Sequence, residues 1–280
     1  MPPGTFLSRI SGLDIKPKKI MRKFIRAIAW SVFSYSTLAC ADNSTVSVEV
    51  RPDVNLTIHY MRHGADQAKG VVALIPGGGG GLNLSTEGEP QNQNFLIRSR
   101  QLFYDAGYDV VSIGNPSDMV SLAPRYRSSK QHVGDLEAVI KFVKAQTNLP
   151  VWLVGTSRGT TSAAAAAVKF GNQLLAGLVL SSSVSTGKNG GAVQNEDLGD
   201  IKIPVLIVHH QSDGCSSTPT AGAQSILSDL KHAPIKKLIL KTGGTATGSD
   251  CGPFHYHGYE GIEAETVADI TRWVSKPTAE

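Results

Sequence analysis

The sequence predicts a three-layer α/β domain with a mostly parallel, eight-stranded sheet and helices on both faces. Beyond residue 45, short β-rich runs alternate with amphipathic helical stretches. Several of these runs are continuously apolar, which is typical of parallel strands covered on both faces. The first two runs follow one another without a helix between them, which indicates an antiparallel start. Because neither an internal repeat nor an interdomain linker is visible, one domain of roughly 240 residues is the simplest count.

Eight short runs are the strand candidates. They are Val46–Val50, Asn55–Tyr60, Val71–Ile75, Val110–Ile113, Val151–Val154, Leu178–Ser181, Pro204–Val208 and Lys236–Leu240. Two of the helical stretches carry one apolar stripe at a spacing of three or four residues, which is typical of helices that pack on a sheet. The stripes consist of Val133, Leu136, Val139, Ile140 and Val143, and of Ile262, Val267, Ile270, Trp273 and Val274.

Composition and charge exclude two broad classes of protein. The chain has 280 residues, of which 41% are hydrophobic and 18% are charged, so it has enough apolar residues for a sizeable core and is not a disordered or fibrous chain. Its net charge of +4 arises in residues 1–41, which hold seven Lys or Arg residues and one acid. The remaining chain has 20 basic and 22 acidic residues. A mildly acidic body offers no electrostatic footprint for a phosphate backbone, so nucleic acid is not an expected partner.

The basic N-terminal segment resembles an export signal. Basic residues follow Met21, an apolar run extends from Ala27 to Ala39, and the sequence Ala39-Cys40-Ala41 provides a cleavage site flanked by small residues. This order predicts a secretory signal peptide, and the apolar run is too short to span a bilayer. We expect cleavage after Ala41, which leaves residues 42–280 as the mature, secreted or periplasmic domain without a membrane span.

Two alternatives at this segment remain open. A lipoprotein anchored at Cys40 is the first, although Thr37 stands where such a signal usually has Leu. The second concerns the start of the protein, since residues 1–20 show no pattern and Met21 is an alternative functional start.

After removal of the signal, only Cys215 and Cys251 remain. Two cysteines in an oxidising compartment predict one disulfide. Neither belongs to a close pair of Cys or His residues with the spacing of metal ligands, so no metal site is expected.

The stretch Gly155-Thr156-Ser157-Arg158-Gly159 is the strongest indication of chemistry. The G-x-S-x-G pattern is weak by itself, but here it lies between a buried strand and an Ala-rich stretch that favours a helix. A serine on a sharp strand-to-helix turn needs small neighbours, because the backbone is strained and packs closely. The turn also places the serine at the positive end of a helix dipole. We therefore predict that Ser157 is a nucleophile.

In this context the sequence resembles the α/β-hydrolase fold over nearly all of the mature chain. The resemblance implies that an acid and then a histidine follow the nucleophile along the chain. Asp213 fits the acid, because it follows the strand Pro204–Val208 and ends a run that resembles the family's H-G-x-x-D turn, with His210 in place of Gly. Asp197 and Asp200 precede that strand and lie at its wrong end.

The resemblance also implies a histidine between the last strand and the last helix. His257 matches best, since His257-Gly258-Tyr259 resembles the family's His, Gly and aromatic sequence. His255 is the alternative.

The expected oxyanion hole consists of two backbone N–H donors. One is the N–H of Arg158, whose side chain we expect to lie over the helix surface. The other comes from the loop Pro76–Gly81, which resembles the family's H-G-G-G loop with Pro76 in place of His. Gly78 is the first choice and Gly79 the second. A phosphate-binding loop is not expected, because no G-K-[ST] follows.

The loops Leu82–Asn92, Asn115–Ser128 and Ser182–Asp200 follow strand ends and are expected to shape the pocket. The third is where larger family members often insert a lid, but here it is short and polar. We therefore expect an open pocket that takes small or polar esters.

The resemblance implies an exported serine hydrolase that cleaves carboxylic esters without a cofactor, through Ser157, His257 and Asp213. It also implies that the loops carrying Asp213 and His257 meet, which makes a Cys215–Cys251 disulfide possible. An acyltransferase or peptidase with the same triad, or a non-catalytic binding protein on a hydrolase scaffold, is the alternative. The complete triad and both elbow glycines favour an enzyme.

Overall fold

The computed structural model describes residues 42–64, 67–187 and 191–279. The predicted signal segment, residues 1–41, lies outside them, as do the cleavage site, Met21 and Cys40. A sheet of eight strands forms the centre of the described chain. The strands are β1 (Asp42–Arg51), β2 (Val54–Arg62), β3 (Val71–Ile75), β4 (Asp109–Pro116), β5 (Val151–Thr156), β6 (Gly177–Ser181), β7 (Val205–His210) and β8 (Lys236–Lys241).

The order of the strands across the sheet is β1-β2-β4-β3-β5-β6-β7-β8. β2 pairs antiparallel with both β1 and β4, and all other neighbours are parallel. This confirms the predicted mostly parallel sheet with an antiparallel start. Parallel neighbours require crossover connections, and the helical stretches between the strands supply them.

Seven α-helices are assigned in the described chain. They are α1 (Phe95–Arg98), α2 (Arg100–Asp105), α3 (Lys130–Gln146), α4 (Arg158–Ala166), α5 (Asn172–Leu174), α6 (Thr220–Asp229) and α7 (Glu263–Ser275). The apolar residues of α3, α4 and α6 pack on one face of the sheet, and those of α1, α2 and α7 pack on the other. The central strands β3, β5, β6 and β7 are buried along their whole length. The three-layer prediction is thereby confirmed.

One strand boundary differs from the prediction in a way that affects the site. β7 continues to His210, because His209 and His210 pair in register with Leu240 and Lys241 of β8. The turn that carries Asp213 therefore begins only at Gln211.

No helix in the described ranges is long and apolar enough to cross a bilayer.

Candidate active site

Ser157 lies on a sharp turn between the end of β5 and the start of α4. Its backbone has φ 52° and ψ −128°, which is a strained combination for a residue with a side chain. The backbone of this turn is tightly packed against neighbouring backbone atoms. A Cβ added to Gly155 would lie 2.6 Å from the carbonyl oxygen of Gly159, and one added to Gly159 would collide with the carbonyl oxygen of Ile75. Both positions therefore require glycine, and the Ser157 side chain is left half-buried at the tip of the turn.

Asp213 and His257 lie side by side although they are 44 positions apart in the sequence. The Nδ1 atom of His257 is 3.0 Å from Oδ2 of Asp213. The same carboxylate accepts hydrogen bonds from the Cys215 N–H at 3.0 Å and from the Thr218 hydroxyl at 2.9 Å. With the proton on Nδ1 donated to Asp213, Nε2 of His257 is left with a lone pair that can accept a proton.

These contacts determine the charge of Asp213. Burial by itself would raise its pKa, but the hydrogen bond and charge of His257 and the bonds from Cys215 and Thr218 outweigh burial, and the pKa lies below its usual value. Asp213 is therefore ionised at neutral pH. An ionised carboxylate favours the Nδ1-protonated tautomer of His257 and can stabilise the ring when it is positively charged.

His209 supports the same turn from β7. Its side chain is fully buried, with Nε2 3.0 Å from the carbonyl oxygen of Thr218 and 3.6 Å from Oδ2 of Asp213. Burial lowers the pKa of His209, so the ring is neutral at physiological pH and its Nε2–H donates to Thr218. It thereby holds Thr218 against the carboxylate without placing a positive charge of its own beside Asp213.

The loop of His257 is fixed to the sheet by Tyr259. The buried hydroxyl of Tyr259 donates to the carbonyl oxygen of Val208 at 2.9 Å. The hydroxyl of Ser182 donates to the carbonyl oxygen of His257 at 2.8 Å. A Cβ on Gly258 would collide with the carbonyl oxygen of Pro253, so this position requires glycine. These contacts explain why Gly and an aromatic residue follow the histidine.

Ser157 and His257 line one cavity of about 210 Å³. The rest of its wall consists of Thr156 and of three segments, namely residues 77–80, residues 92–95 and the stretch that includes Cys251, Pro253 and Gly258. Of the three loops expected to shape the pocket, only the first contributes to this wall within the described residues, through Asn92. The structure instead places the disulfide loop there.

The glycine loop presents N–H groups while its carbonyl oxygens are occupied. The carbonyl oxygen of Gly77 accepts a hydrogen bond from the Gly80 N–H. That of Gly78 accepts one from the Arg127 guanidinium, and that of Gly79 accepts one from the Leu122 N–H. The carbonyl oxygens of Gly80 and Gly81 accept from the side chain of Asn92. The N–H groups of Gly78 and Gly79 donate to no group within the described ranges. The N–H of Arg158, in the first turn of α4, has no partner within the helix. The loop and the helix thus offer donors beside Ser157.

Comparison with solved structures gives many matches to esterases and serine hydrolases. An esterase of Pyrococcus furiosus, PF2001, superposes with a TM-score of 0.63 at 12% identity, covering 85% of this chain and 91% of that one. Est1E from Butyrivibrio proteoclasticus gives 0.56 at 12% identity, covering 82% and 97%. XC6422 from Xanthomonas campestris, described as an α/β serine hydrolase without lid, gives 0.54 at 17% identity, covering 83% and 92%.

The chain has the α/β-hydrolase fold. No protein-family model matches the sequence, and neither does any curated protein.

Within this α/β-hydrolase fold, the two candidate histidines have different partners. His257 lies beside Asp213 and lines the cavity. His255 has its Nε2 atom 3.4 Å from Asp250, on the loop that contains Cys251, and is not part of the cavity wall.

A disulfide joins Cys215 to Cys251 and connects the acid turn to the cavity wall. The two Cα atoms are 4.6 Å apart, across 36 positions of sequence. The N–H of Cys215 donates to Asp213, and Cys251 lines the cavity. The bond therefore links the loop that orients the acid to the loop that precedes His257.

Asn94 is a polar residue of the cavity that sequence reasoning missed. It occupies the N-cap position of α1, but its side chain makes no capping hydrogen bond, and its buried Oδ1 atom has no partner in the described chain. A Cβ added to Gly77 would lie 3.1 Å from Nδ2 of Asn94 and 2.7 Å from Cβ of Ser157. The carboxamide of Asn94 therefore lies within about 6 Å of Ser157, where it can reach a bound substrate.

Thr218 and Arg127 were missed as well. Thr218 follows Asp213 by only five residues, so a search for hydroxyl donors near the predicted acid could have suggested it. No sequence signal distinguishes Arg127, which is 49 residues from the carbonyl oxygen that it contacts.

The described chain holds no group of three or more His, Cys, Asp or Glu side chains able to bind a metal ion.

Proposed function

We propose that this protein is an exported serine hydrolase that cleaves carboxylic esters through an acyl-enzyme. One observation carries the proposal. A serine on a strained strand-to-helix turn and a histidine paired with a buried, ionised carboxylate open onto the same small cavity. That combination is what nucleophilic catalysis by a weakly acidic hydroxyl requires.

In the proposed reaction, Ser157 Oγ attacks the ester carbonyl while Nε2 of His257 accepts its proton. The N–H groups of Arg158 and Gly78 stabilise the negative oxygen of the tetrahedral intermediate. His257 then donates the proton to the departing alcohol, and the acyl group stays on Ser157. A water molecule, activated by the same histidine, releases the acid and restores the serine.

The dimensions of the cavity support small or polar substrates. A volume of about 210 Å³ lies below the range of roughly 300–1,000 Å³ common for drug-sized ligands. The segment at which a lid could be inserted, Ser182–Asp200, contributes no residue to the cavity wall in its described part. This supports an open site like that of the lidless hydrolase among the structural matches, and therefore short acyl groups over long ones.

Export is supported by the N-terminal sequence and by the disulfide. The basic and apolar segments of residues 1–41 match a secretory signal, and disulfides persist in oxidising compartments. Secretion or transfer to the periplasm with cleavage after Ala41 is the favoured route, and lipidation at Cys40 is the alternative.

A panel of p-nitrophenyl esters with acyl chains from two to sixteen carbons tests this function on the mature protein. We expect the highest kcat/KM for the shortest chains, and labelling of Ser157 by a fluorophosphonate probe. Ser157→Ala should lower kcat by about 10⁴-fold or more and abolish labelling. Ser225→Ala, at an exposed position of α6, is the matched control. A Ser157→Ala variant that keeps a tenth of wild-type activity would contradict the assignment.

A further inference from the structure

Arg127 is a fully buried cation without an acidic partner in the described part of the chain. It lies in the short 3₁₀ helix Pro124–Ser128, with no exposed surface, and forms no salt bridge with a carboxylate of the described chain. Burial and then the positive charge of Arg158 lower its pKa to about 9, so the guanidinium is still charged at neutral pH. An unpaired buried charge is costly to a fold. The contacts that it makes should therefore indicate what it contributes.

Its hydrogen bonds connect helix α4 to the glycine loop of the candidate site. One terminal nitrogen donates to the hydroxyl of Ser162 on α4, and the other donates to the carbonyl oxygen of Gly78, each at 3.1 Å. The hydroxyl of Ser162 is also 2.9 Å from Nε2 of His132. Burial and the charge of Arg127 lower the pKa of His132 to about 3, so this ring is neutral while it shares a hydrogen bond with the Ser162 hydroxyl. Among the described residues, the cation is thus held by neutral groups alone.

The direction of the contact at Gly78 matters for the glycine loop. In a trans peptide the C=O and the following N–H point in opposite directions. The carbonyl of Gly78 points inward to Arg127, so the N–H of Gly79 points away from the buried side. Both glycines line the cavity, and the N–H of Gly79 donates to no group in the described chain.

We propose that Arg127 is a positioning residue that fixes the Gly78–Gly79 peptide so that the N–H of Gly79 serves the oxyanion hole together with that of Gly78. The inference rests on the proposed function, because it needs an oxyanion to stabilise. A charged donor on the carbonyl also polarises the peptide and makes its N–H a stronger donor. Within the described ranges, the other glycine carbonyl oxygens of the loop accept from neutral donors only.

A purely structural role would give a different result. If Arg127 only joined its 3₁₀ helix to α4, its loss would lower stability and leave the chemical step unchanged. If it orients an oxyanion donor, its loss reduces the stabilisation of the transition state more than the binding of the substrate. In that case kcat falls while KM changes little.

The test compares Arg127→Met with Arg125→Met, an exposed arginine of the same 3₁₀ helix. Kinetics with p-nitrophenyl acetate are measured alongside inhibition by a trifluoromethyl ketone, whose adduct with a serine hydroxyl carries an oxyanion. For Arg127→Met we expect kcat to fall about 10- to 100-fold, inhibitor affinity to fall by a similar factor, KM to change less than about threefold, and the shape of the pH profile to be unchanged. Arg125→Met should resemble the wild type in all four measurements.

A kcat for Arg127→Met within twofold of wild type, or a loss confined to KM, would overturn the inference. If Arg127→Met does not fold, Arg127→Lys decides, since a lysine keeps the charge but lacks the planar fork. It should fold and show the same selective loss of kcat, and full activity would overturn the inference. A wild-type protein inactive toward every ester would instead contradict the proposed function. The ¹⁵N–¹H resonance of Gly79 then tests the geometry alone, and it should shift in Arg127→Met but not in Arg125→Met.

Discussion

The hydroxyl of Thr218 donates to Oδ2 of Asp213, the same oxygen that lies 3.0 Å from Nδ1 of His257. Thr218 Oγ1 is itself 3.2 Å from that nitrogen. The three side chains form one buried cluster in which Oδ2 of Asp213 accepts hydrogen bonds from both the Thr218 hydroxyl and the His257 imidazole. The stability of the fold is therefore connected to the ionisation of the candidate catalytic acid.

Replacement of Thr218 by Val should destabilise the protein in a pH-dependent way. The pKa of Asp213 is lowered in the fold, so its ionisation contributes stability above the unfolded value of about 3.9, and that contribution is lost as pH falls through the lowered folded value. Because the variant lacks one hydrogen bond to the charged form, we expect its free energy of unfolding to be about 1.5–3 kcal/mol lower than that of the wild type at pH 7. This difference should narrow below about pH 4. Urea unfolding across this pH range measures it.

Thr186→Val is the matched control for this measurement. The hydroxyl of Thr186 donates to the carbonyl oxygen of Ser216 at the surface, and this bond involves no titratable group. The small effect of Thr186→Val on the free energy of unfolding should be independent of pH. A gap between wild type and Thr218→Val that stays constant down to pH 3 would contradict the predicted coupling to Asp213.

The two histidines should differ sharply in their contribution to catalysis. His257→Ala should lower kcat by about 10⁴-fold or more, because it removes the proposed general base. His255→Ala should cost less than about tenfold, because His255 lies beside Asp250 and outside the cavity wall. Steady-state kinetics of both variants on one short ester decide the matter, and the reverse ranking would assign the base to His255.

Asn94→Ala should reduce kcat/KM for a short ester by about 10-fold or more while leaving the melting temperature nearly unchanged. The side chain of Asn94 makes no capping bond, so its removal takes nothing from α1, but it does remove a polar group within reach of the substrate. Gln93→Ala is the control, because Gln93 also lines the cavity but its side chain donates to the carbonyl oxygen of Gln91. Equal losses in the two variants would argue against a specific contact from Asn94.

Reduction of the disulfide should lower both stability and activity. In the chain-entropy model, a bond across 36 positions contributes roughly 4 kcal/mol. Activity should fall as well, because Cys215 holds Asp213 and Cys251 lines the cavity. The measurements are a thiol count on unreduced mature protein by alkylation and mass spectrometry, followed by melting and kinetics after reduction. Two alkylated cysteines before reduction would contradict the bond.

Local patterns were sufficient to predict most of the architecture. Apolar runs and helical stripes depend on residues near one another in sequence, and all eight predicted strands occur in the sheet. The turn at Ser157 was likewise predictable, because the need for glycine at positions 155 and 159 arises within one strand-to-helix connection. The end of β7 was not, since His209 and His210 join the strand only by pairing with β8.

The arrangement around these elements depends on the tertiary structure. His255 and His257 are two residues apart and chemically identical, and only the packing of their loop brings one to Asp213 and the other to Asp250. The contact between Arg127 and Gly78 likewise joins residues far apart in sequence. Short-range sterics and periodicity explain which segments become strands, helices and the nucleophile turn, so these could be predicted from the sequence. Which side chains share a hydrogen bond depends on the packing of loops, because that packing sets the distances between residues far apart in the chain.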